Sequence, residues 1–199
     1  MSKKIFILGA GGHGKVVGEI AFLNGFTDII FLDDNYNNID NYPFSIKGNI
    51  KEFDNIYNQK DAWFVGIGDN HIRKNLIEKF DHFSKNLINL IHPSAVKSNF
   101  SNYENGICIM ANAAINPGCK IKRGSIINTS ASIDHDCEIG SFVHIAPNVA
   151  LSGNVTVGEC SLVGTGSSIH PGISIGNNVK IGLGSKIFKN ISDNAIFKN

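Results

Sequence analysis

An aliphatic residue stands at every sixth position of this chain between residues 109 and 187, without an exception over fourteen repeats. An α-helix repeats its apolar face about every 3.6 residues and a β-strand about every two, so neither element accounts for this spacing. The column comprises Ile109, Ile115, Ile121, Ile127, Ile133, Ile139, Ile145, Leu151, Val157, Val163, Ile169, Ile175, Ile181 and Ile187.

A second column of mostly small or β-branched residues, from Ala113 to Ser185, stands two positions before each aliphatic residue. A unit of six residues with two inward side chains and one corner cannot bury its own apolar side, so it must stack on copies of itself. The pattern predicts a parallel β-helix of about four to five coils, with about 18 residues per coil. Glycine follows the aliphatic column several times, and we expect it at corners, which favour a residue without a Cβ. These glycines are Gly140, Gly158, Gly164, Gly176 and Gly182.

The first part of the chain has a different pattern, that of a strand, a glycine-rich turn and a helix. Residues 3–8 predict a buried strand, residues 9–14 carry glycines around His13, and residues 15–23 have helical spacing. Such a turn directs backbone N–H groups and the positive end of a helix at one place. The turn is therefore a candidate phosphate site.

A second strand over residues 29–32 ends at Asp33 and Asp34. A dinucleotide-binding fold places its ribose-binding acid at this distance, about 20 residues past the glycine turn. However, the residues before the repeat suffice for one mononucleotide-binding half only. His13 also offers a side-chain donor inside the turn, so we favour a nucleotide site over a dinucleotide site.

The remaining elements predicted before the repeat are a short strand near Ile46 within the loops of residues 35–57, a strand over 62–67, a helix over 71–80 and a strand over 87–91. Asp69 or Asn70 is positioned to cap the helix. Arg73 and Lys74 lie in its first turn, where the helix dipole favours acids. A bound anion at these two cations stays open, and a solvent-exposed face is the favoured interpretation.

Composition narrows the class of protein. The chain has 199 residues, of which 42% are hydrophobic, enough for two small domains that we place at residues 1–91 and 92–199. The net charge of +1, without a basic stripe, gives no indication of nucleic acid or of a membrane surface. No apolar run has the length of a membrane span, and the first residues lack the features of a signal peptide. We expect a cytoplasmic protein.

The four cysteines are interpreted as packing residues. Cys119 and Cys137 fall on the inward column of the repeat, and Cys108 and Cys160 have no CxxC spacing. A free thiol is among the most buried side chains of folded proteins. We therefore expect neither a disulfide nor a metal site.

The repeat resembles that of the hexapeptide-repeat acyltransferases, which implies a left-handed β-helix. The whole chain is similar, more narrowly, to the bacterial sugar acetyltransferases of the NeuD and PglD type, in which a small Rossmann-like βαβ domain precedes the β-helix. The motifs that carry this resemblance are residues 9–14 with His13, residues 31–34, residues 66–68 with Arg73, residues 91–95, and Asn128-Thr129 leading to His135.

The resemblance implies roles for individual residues. His135 corresponds to the catalytic base, and the adjacent Asp136, a glutamate in the best-known amino-sugar members, to the acid that raises its basicity. His144 corresponds to a contact of the acetyl thioester, and Thr165 and Leu183 line the coenzyme A groove. The nucleotide-sugar contacts correspond to Gly11, Gly12, His13, Asp33, Asp34 and Gly68.

The repeat also places the two histidines. His135 lies two residues past the inward Ile133, so it points outward, and Gly153 stands about one coil later, which leaves space above the imidazole. His144 lies half a coil from His135 and so on another side of the same prism. We therefore infer that the two meet between protomers of a homotrimer, in agreement with the assembly of the family.

These observations favour an acetyl-CoA-dependent N-acetyltransferase. Its expected substrate is a nucleotide-linked 4-amino sugar that carries UDP and is made for a surface glycan. Direct attack by the amine is expected, because the sequence offers no competing nucleophile or metal cluster. Two alternatives stay open. One is an O-acetyltransferase of sialic acid or a related sugar. The other is a nucleotide- or dinucleotide-binding module whose β-helix serves only as a trimerisation stalk.

Overall fold

The computed structural model describes residues 3–38 and 42–198, so residues 39–41 of the loop predicted over 35–57 lie outside the described residues. The chain divides into two compact units, Met1–Leu90 and Ile91–Asn199. In the described part of the chain, none of the helices has the length and apolar character needed to cross a membrane.

The first unit is built on a sheet of four parallel strands in the order β3-β2-β1-β4. The strands are β1 Lys4–Leu8, β2 Asp28–Leu32, β3 Ser45–Gly48 and β4 Ala62–Val65. The helices are α1 Gly12–Leu23, α2 Phe53–Ile56 and α3 Asn70–Lys79, and 3₁₀ segments occupy Tyr36–Asn38, Ile50–Glu52 and Asp81–Asn86.

Aromatic side chains fill the core of the first unit. The ring of Phe53 lies 5.9 Å from that of Phe6, 5.5 Å from that of Trp63 and 4.9 Å from that of Phe80, measured between centroids. All four side chains are buried. Edge-to-face contacts of this kind add to the free energy gained from burial, so this cluster anchors the sheet that carries the glycine turn.

The second unit is a parallel β-helix with three faces. The first face comprises β5 Leu90–Ile91, β8 Cys108–Ile109, β11 Ile126–Ile127, β14 His144–Ile145, β17 Leu162–Val163, β20 Lys180–Ile181 and β22 Ile196–Phe197. The second face comprises β6 Val96–Lys97, β9 Ala114–Ile115, β12 Ser132–Ile133, β15 Ala150–Leu151, β18 Ser168–Ile169 and β21 Lys186–Ile187. The third face comprises β7 Asn102–Tyr103, β10 Lys120–Ile121, β13 Glu138–Ile139, β16 Thr156–Val157 and β19 Ser174–Ile175. The first corner joins the first and second faces, the second corner the second and third, and the third corner the third and first.

The aliphatic column forms the core of this prism, as predicted. Each of its fourteen members is at most 3% exposed. Polar members of the second column donate hydrogen bonds to carbonyl groups inside the prism: Ser125 to Gly140, Ser161 to Gly176, Cys119 to Asp134 and Cys137 to Ser152. Buried hydroxyl and thiol groups are thus satisfied, which explains why serine and cysteine are tolerated in a core column.

The fourteen aliphatic repeats form strands β8 to β21, which make the four to five coils predicted from them. Within the described residues the three faces carry seven, six and five strands, because the prism also includes strands before and after these repeats. The strand predicted over residues 87–91 is wrong in part. Leu87 forms only an isolated bridge with Trp63, whereas Leu90–Ile91 joins the first face of the prism. One strand cannot pair in both sheets, so the run is broken.

The corners differ from the prediction in their physical basis. Left-handed backbone recurs every sixth residue at the third position after the aliphatic column, and glycine supplies only part of it. This left-handed column comprises Asn112, Gly118, Gly124, Ser130, Asp136, Phe142, Asn148, Asn154, Cys160, Gly166, Gly172, Asn178 and Gly184. The glycines directly after the aliphatic column have another reason. A Cβ on Gly140 or Gly158 would meet backbone atoms of the next coil at 2.8 Å or less, so close stacking excludes a side chain there.

Candidate active site

The second corner of the prism carries His135 and Asp136 side by side. Nδ1 of His135 lies 2.8 Å from Oδ2 of Asp136, and both side chains are more than half exposed. An ionised carboxylate can only accept, so Nδ1 carries the proton and Nε2 keeps a free lone pair. The hydrogen bond to Asp136, followed by the charge of Asp134, raises the pKa of His135 above the ordinary value of 6.5. Nε2 is therefore the atom that can take up a proton.

Two glycines of neighbouring coils make room for this pair. A Cβ on Gly153, in the next coil, would lie 2.6 Å from Cε1 and 2.6 Å from Nε2 of His135. A Cβ on Gly118, in the previous coil, would collide with the carboxylate of Asp136. The space predicted above His135 is thus filled by the imidazole itself. The imidazole lies against the backbone of Gly153, and the carboxylate of Asp136 lies against the backbone of Gly118.

A third polar side chain at this corner was missed by the sequence analysis. Oδ1 of Asp134 accepts hydrogen bonds from the backbone N–H of His135 at 2.8 Å and from Nδ2 of Asn116 at 2.7 Å. The bond from Asn116, followed by that from His135, holds the pKa of Asp134 below its usual value. The 18-residue spacing of Asn116 and Asp134, equal to one coil, is the signal that could have identified the contact.

The candidate contacts of the acetyl donor lie elsewhere on the prism. His144 is on the first face, where its Nε2 lies 3.0 Å from Nδ2 of Asn128. Thr165 and Leu183 are exposed and follow one another at the first corner, where the N–H of Gly184 donates to the carbonyl of Thr165 at 2.8 Å. Within one protomer, His144 therefore lies on the first face and His135 at the second corner, where the other two faces meet. Asn128 is a further polar residue there that no role had been given.

The glycine turn of the first unit has the form expected of an anion site. Helix α1 begins directly at the turn, its N-cap Gly11 makes no side-chain cap, and its first turn holds no acidic residue. No atom lies within 4 Å of the Cβ positions of Gly11 and Gly12, so both backbones are open. A Cβ added to Gly68 would lie 3.9 Å from the Cβ of His13. The structure thus brings Gly11, Gly12, His13 and Gly68 to one edge of the sheet.

The carboxylates of Asp33 and Asp34 are occupied by backbone donors. Oδ2 of Asp33 accepts from the N–H of Ala10 at 2.7 Å and its Oδ1 from Asn35 at 2.8 Å, while Oδ1 of Asp34 accepts from Ile50 at 3.1 Å. Asp33 therefore fixes the glycine turn to the end of β2. A carboxylate keeps further lone pairs, so a ligand contact in addition to these bonds is compatible with the geometry.

Tyr42 was not singled out from the sequence, but its hydroxyl lies at the same turn. A Cβ on Gly14 would come within 3.1 Å of it, and the ring packs against Phe31 at 5.0 Å. Among the described residues this buried hydroxyl has no hydrogen-bond partner. Burial, followed by the charge of Asp33, raises the pKa of Tyr42, so the hydroxyl keeps its proton and can donate it.

The expectation that Arg73 faces solvent is wrong. Arg73 is 1% exposed and donates to the carbonyl groups of Ile67 and Gly68 and to Oδ1 of Asn70. The chain before α3 curls so that these oxygens converge on the guanidinium, a feature that spacing alone does not encode. Asp69 caps α3 as predicted, accepting from the N–H groups of His71 and Ile72. Arg73 therefore shapes the segment that contains Gly68.

The cysteines of the described residues are buried thiols, which agrees with the packing interpretation. In the same part of the chain, no three His, Cys, Asp or Glu side chains come together in a group that could hold a metal ion.

The chain is similar to several known proteins. Residues 4–80 match the model of the PglD N-terminal domain. The chain is 36% identical over 112 residues to UDP-N-acetylbacillosamine N-acetyltransferase of Bacillus subtilis, a match that covers 55% of this chain and 52% of that protein. The chain thus spans about half the length of this curated relative.

Two solved structures match nearly the whole chain. The acetyltransferase domain of PglB from Neisseria gonorrhoeae superposes with a TM-score of 0.93 at 35% identity, covering 98% of this chain and 96% of that one. PerB from Caulobacter crescentus, in complex with CoA and GDP-perosamine, gives a TM-score of 0.87 at 35% identity, covering 97% and 92%.

The fold and the exposed histidine at its corner define a protein of the hexapeptide-repeat acyltransferase class, with a left-handed β-helix. The N-terminal unit and the extent of the similarity define the group more narrowly. The chain belongs to the NeuD/PglD-type family of bacterial sugar acetyltransferases.

Proposed function

We propose that this chain is an acetyl-CoA-dependent N-acetyltransferase that acts on a nucleotide-linked 4-amino sugar, with UDP as the nucleotide. The observation that carries the proposal is the exposed His135–Asp136 pair, seated on two glycines with Nε2 free. The Bacillus relative is named for a UDP-linked amino sugar, and the Caulobacter relative was solved with CoA and a GDP-linked one. An amino sugar on a nucleotide is the feature common to both.

His135 is the general base in this proposal. Its Nε2 accepts the proton that the sugar amine loses as the nitrogen bonds to the acetyl carbon, and the carbon–sulfur bond breaks to release the coenzyme A thiolate. Asp136 keeps the Nδ1–H tautomer and stabilises the imidazolium that forms. A general base positioned in this way contributes about 10² to 10⁴ in rate.

Acetyl-CoA supplies the acetyl group as a thioester, and the first corner fits such a molecule. Leu183 is 75% exposed and offers an apolar surface to the pantetheine arm. Thr165 lies one coil before it, and His144 and Asn128 offer polar groups on the adjoining face. We assign the thioester end to His144 and the arm to Thr165 and Leu183.

The glycine turn binds the nucleotide part of the sugar substrate in this proposal. The N–H groups at the start of α1 favour a phosphate, and Gly11 and Gly12 leave its approach open. His13, Gly68, Asp33 and Asp34 line the same edge. Asp33 contributes by holding the turn in shape in addition to any direct contact.

A homotrimer completes the site in this proposal. His144 lies on the first face of the prism and His135 at the second corner, where the other two faces meet, so we infer that one protomer does not unite them. Parallel prisms related by a three-fold axis would bring the second corner of one protomer to the first face of its neighbour. The acetyl donor and the base then come from two chains.

The test is release of the coenzyme A thiol in the presence of UDP- and GDP-linked 4-amino sugars, their 4-hydroxyl counterparts, and free sialic acid. We expect release with the UDP-linked amino sugar and its loss in His135→Ala. Release with sialic acid alone would indicate an O-acetyltransferase. Binding of NAD without turnover of any sugar would indicate a dinucleotide-binding module with a structural β-helix.

A further inference from the structure

The side chain of Asp134 links the backbone of His135 to the previous coil, and it makes no hydrogen bond to the imidazole itself. Asp134 accepts the N–H of His135 with the same oxygen that accepts Nδ2 of Asn116. Asn116 lies at the second corner, one coil earlier, and has its own backbone N–H bonded to the carbonyl of Ile133. The backbone of His135 is therefore held to the previous coil by these two hydrogen bonds to Asp134. We call this link between His135, Asp134 and Asn116 the cross-coil clamp.

We propose that Asp134, held by Asn116, is a positioning residue for His135, a role that rests on the proposed function of His135 as the general base. Asp136 and Asp134 divide the task. Asp136 orients the ring through Nδ1, and Asp134 fixes the peptide from which the ring projects. The carbonyl of His135 also accepts the N–H of Asn154 in the next coil, and the ring lies against the bare backbone of Gly153.

The clamp also has an electrostatic part. The titratable groups that act on His135 are Asp136, Asp134 and the thiol of Cys119. Both carboxylates favour the imidazolium, and the bond from Asn116 keeps Asp134 ionised. The base is therefore stronger with Asp134 present than with Asp136 alone.

The third corner contains a matched pair without a histidine. Asn177 donates from its backbone N–H and from Nδ2 to the two carboxylate oxygens of Asp193, at 2.8 and 3.2 Å. This Asn–Asp pair also crosses between coils and also lowers the pKa of its aspartate. The pair forms a hydrogen-bonded Asn–Asp link between coils but lies beside no proposed base, so it serves as a control for a purely structural effect.

The experiment separates position from charge. Asp134→Asn retains an acceptor oxygen for both donors and removes the charge, so the acidic limb of the pH profile of kcat/KM should move to lower pH with little loss of the maximum. Asp134→Ala removes the clamp, and kcat should fall roughly tenfold with KM for acetyl-CoA unchanged, because a misplaced catalytic group loses rate rather than binding. Asn116→Ala should change kcat in the same direction and by less. Asp193→Asn and Asp193→Ala should leave both quantities unchanged.

NMR titration of the His135 ring in wild type and Asp134→Asn gives a readout that needs no turnover. A lower titration midpoint in the variant supports the electrostatic part of the proposal even if no sugar in the panel is acetylated, which would count against the proposed function alone. An unmoved midpoint overturns the electrostatic part. Equal losses of kcat in the alanine variants at Asp134 and Asp193, with equal losses in Tm, would overturn the positioning role.

Discussion

The imidazole of His135 occupies the space directly over Gly153, one coil away, where even a methyl group would lie 2.6 Å from its Nε2. Gly153 has no left-handed backbone that would require glycine, so the absence of a side chain there serves the ring. This relationship links a repeat position to the nitrogen that we propose as the general base. A substitution at Gly153 should therefore affect activity more than folding.

Gly153→Ala should displace the ring of His135 and lower kcat about 10- to 100-fold. The backbone of Gly153 accommodates alanine, so Tm should change by no more than a few degrees. Steady-state kinetics and thermal unfolding of the same preparation measure both. Gly118→Ala is the comparison, since its φ of +81° adds backbone strain to the collision with Asp136, and it should lose stability as well as rate. A normal kcat in Gly153→Ala would place the reacting nitrogen elsewhere.

The activity should depend on pH in a way that reports on Asp136. A raised pKa keeps His135 protonated to higher pH, and a protonated imidazole cannot act as a base, so kcat/KM should fall below a limb that lies above 6.5. Asp136→Asn removes the main cause of the raised pKa and should move this limb to lower pH. It should also lower the maximal kcat, because an amide no longer stabilises the imidazolium. A limb that stayed in place in Asp136→Asn would contradict the assignment of His135 as the titrating base.

The nucleotide end of the substrate should respond to His13 and Tyr42. His13→Ala should raise KM for the nucleotide sugar and lower kcat/KM roughly 10- to 100-fold, since a hydrogen bond to a charged phosphate is worth about 1.5 to 3 kcal/mol. Tyr42→Phe should weaken binding of the nucleotide less and should not lower Tm, because the hydroxyl has no partner to lose among the described residues. Calorimetric titration with UDP measures both variants. Affinity for acetyl-CoA serves as the control and should stay constant, and a parallel loss of it would indicate general damage to the fold.

The core of the prism can be predicted from the sequence, whereas its corners are predicted poorly. Six-residue spacing reveals which residues point inward, because burial selects aliphatic side chains at one phase without exception. The left-handed column is hidden, since Ser130, Phe142 and Cys160 occupy it without being typical of that conformation. Arg73 shows the same limit, because its burial depends on carbonyl groups that converge only after the segment at Ile67 has folded. Contacts between residues that lie one coil apart, such as that of Asn116 with Asp134, can be predicted once the period is known.

The last prediction concerns the assembly. Light scattering should give three times the chain mass of 21.5 kDa. If each site takes His135 from one protomer and His144 from the next, then His135→Ala and His144→Ala should each be nearly inactive alone. Unfolding and refolding a 1:1 mixture should restore activity, since about a quarter of the interfaces would then combine both native histidines. Wild type refolded alone and each variant refolded alone are the controls. A trimer without restored activity would mean that both histidines act within one chain. A fully active His144→Ala would mean that His144 has no part in the reaction, and a fully active monomer would remove the shared site altogether.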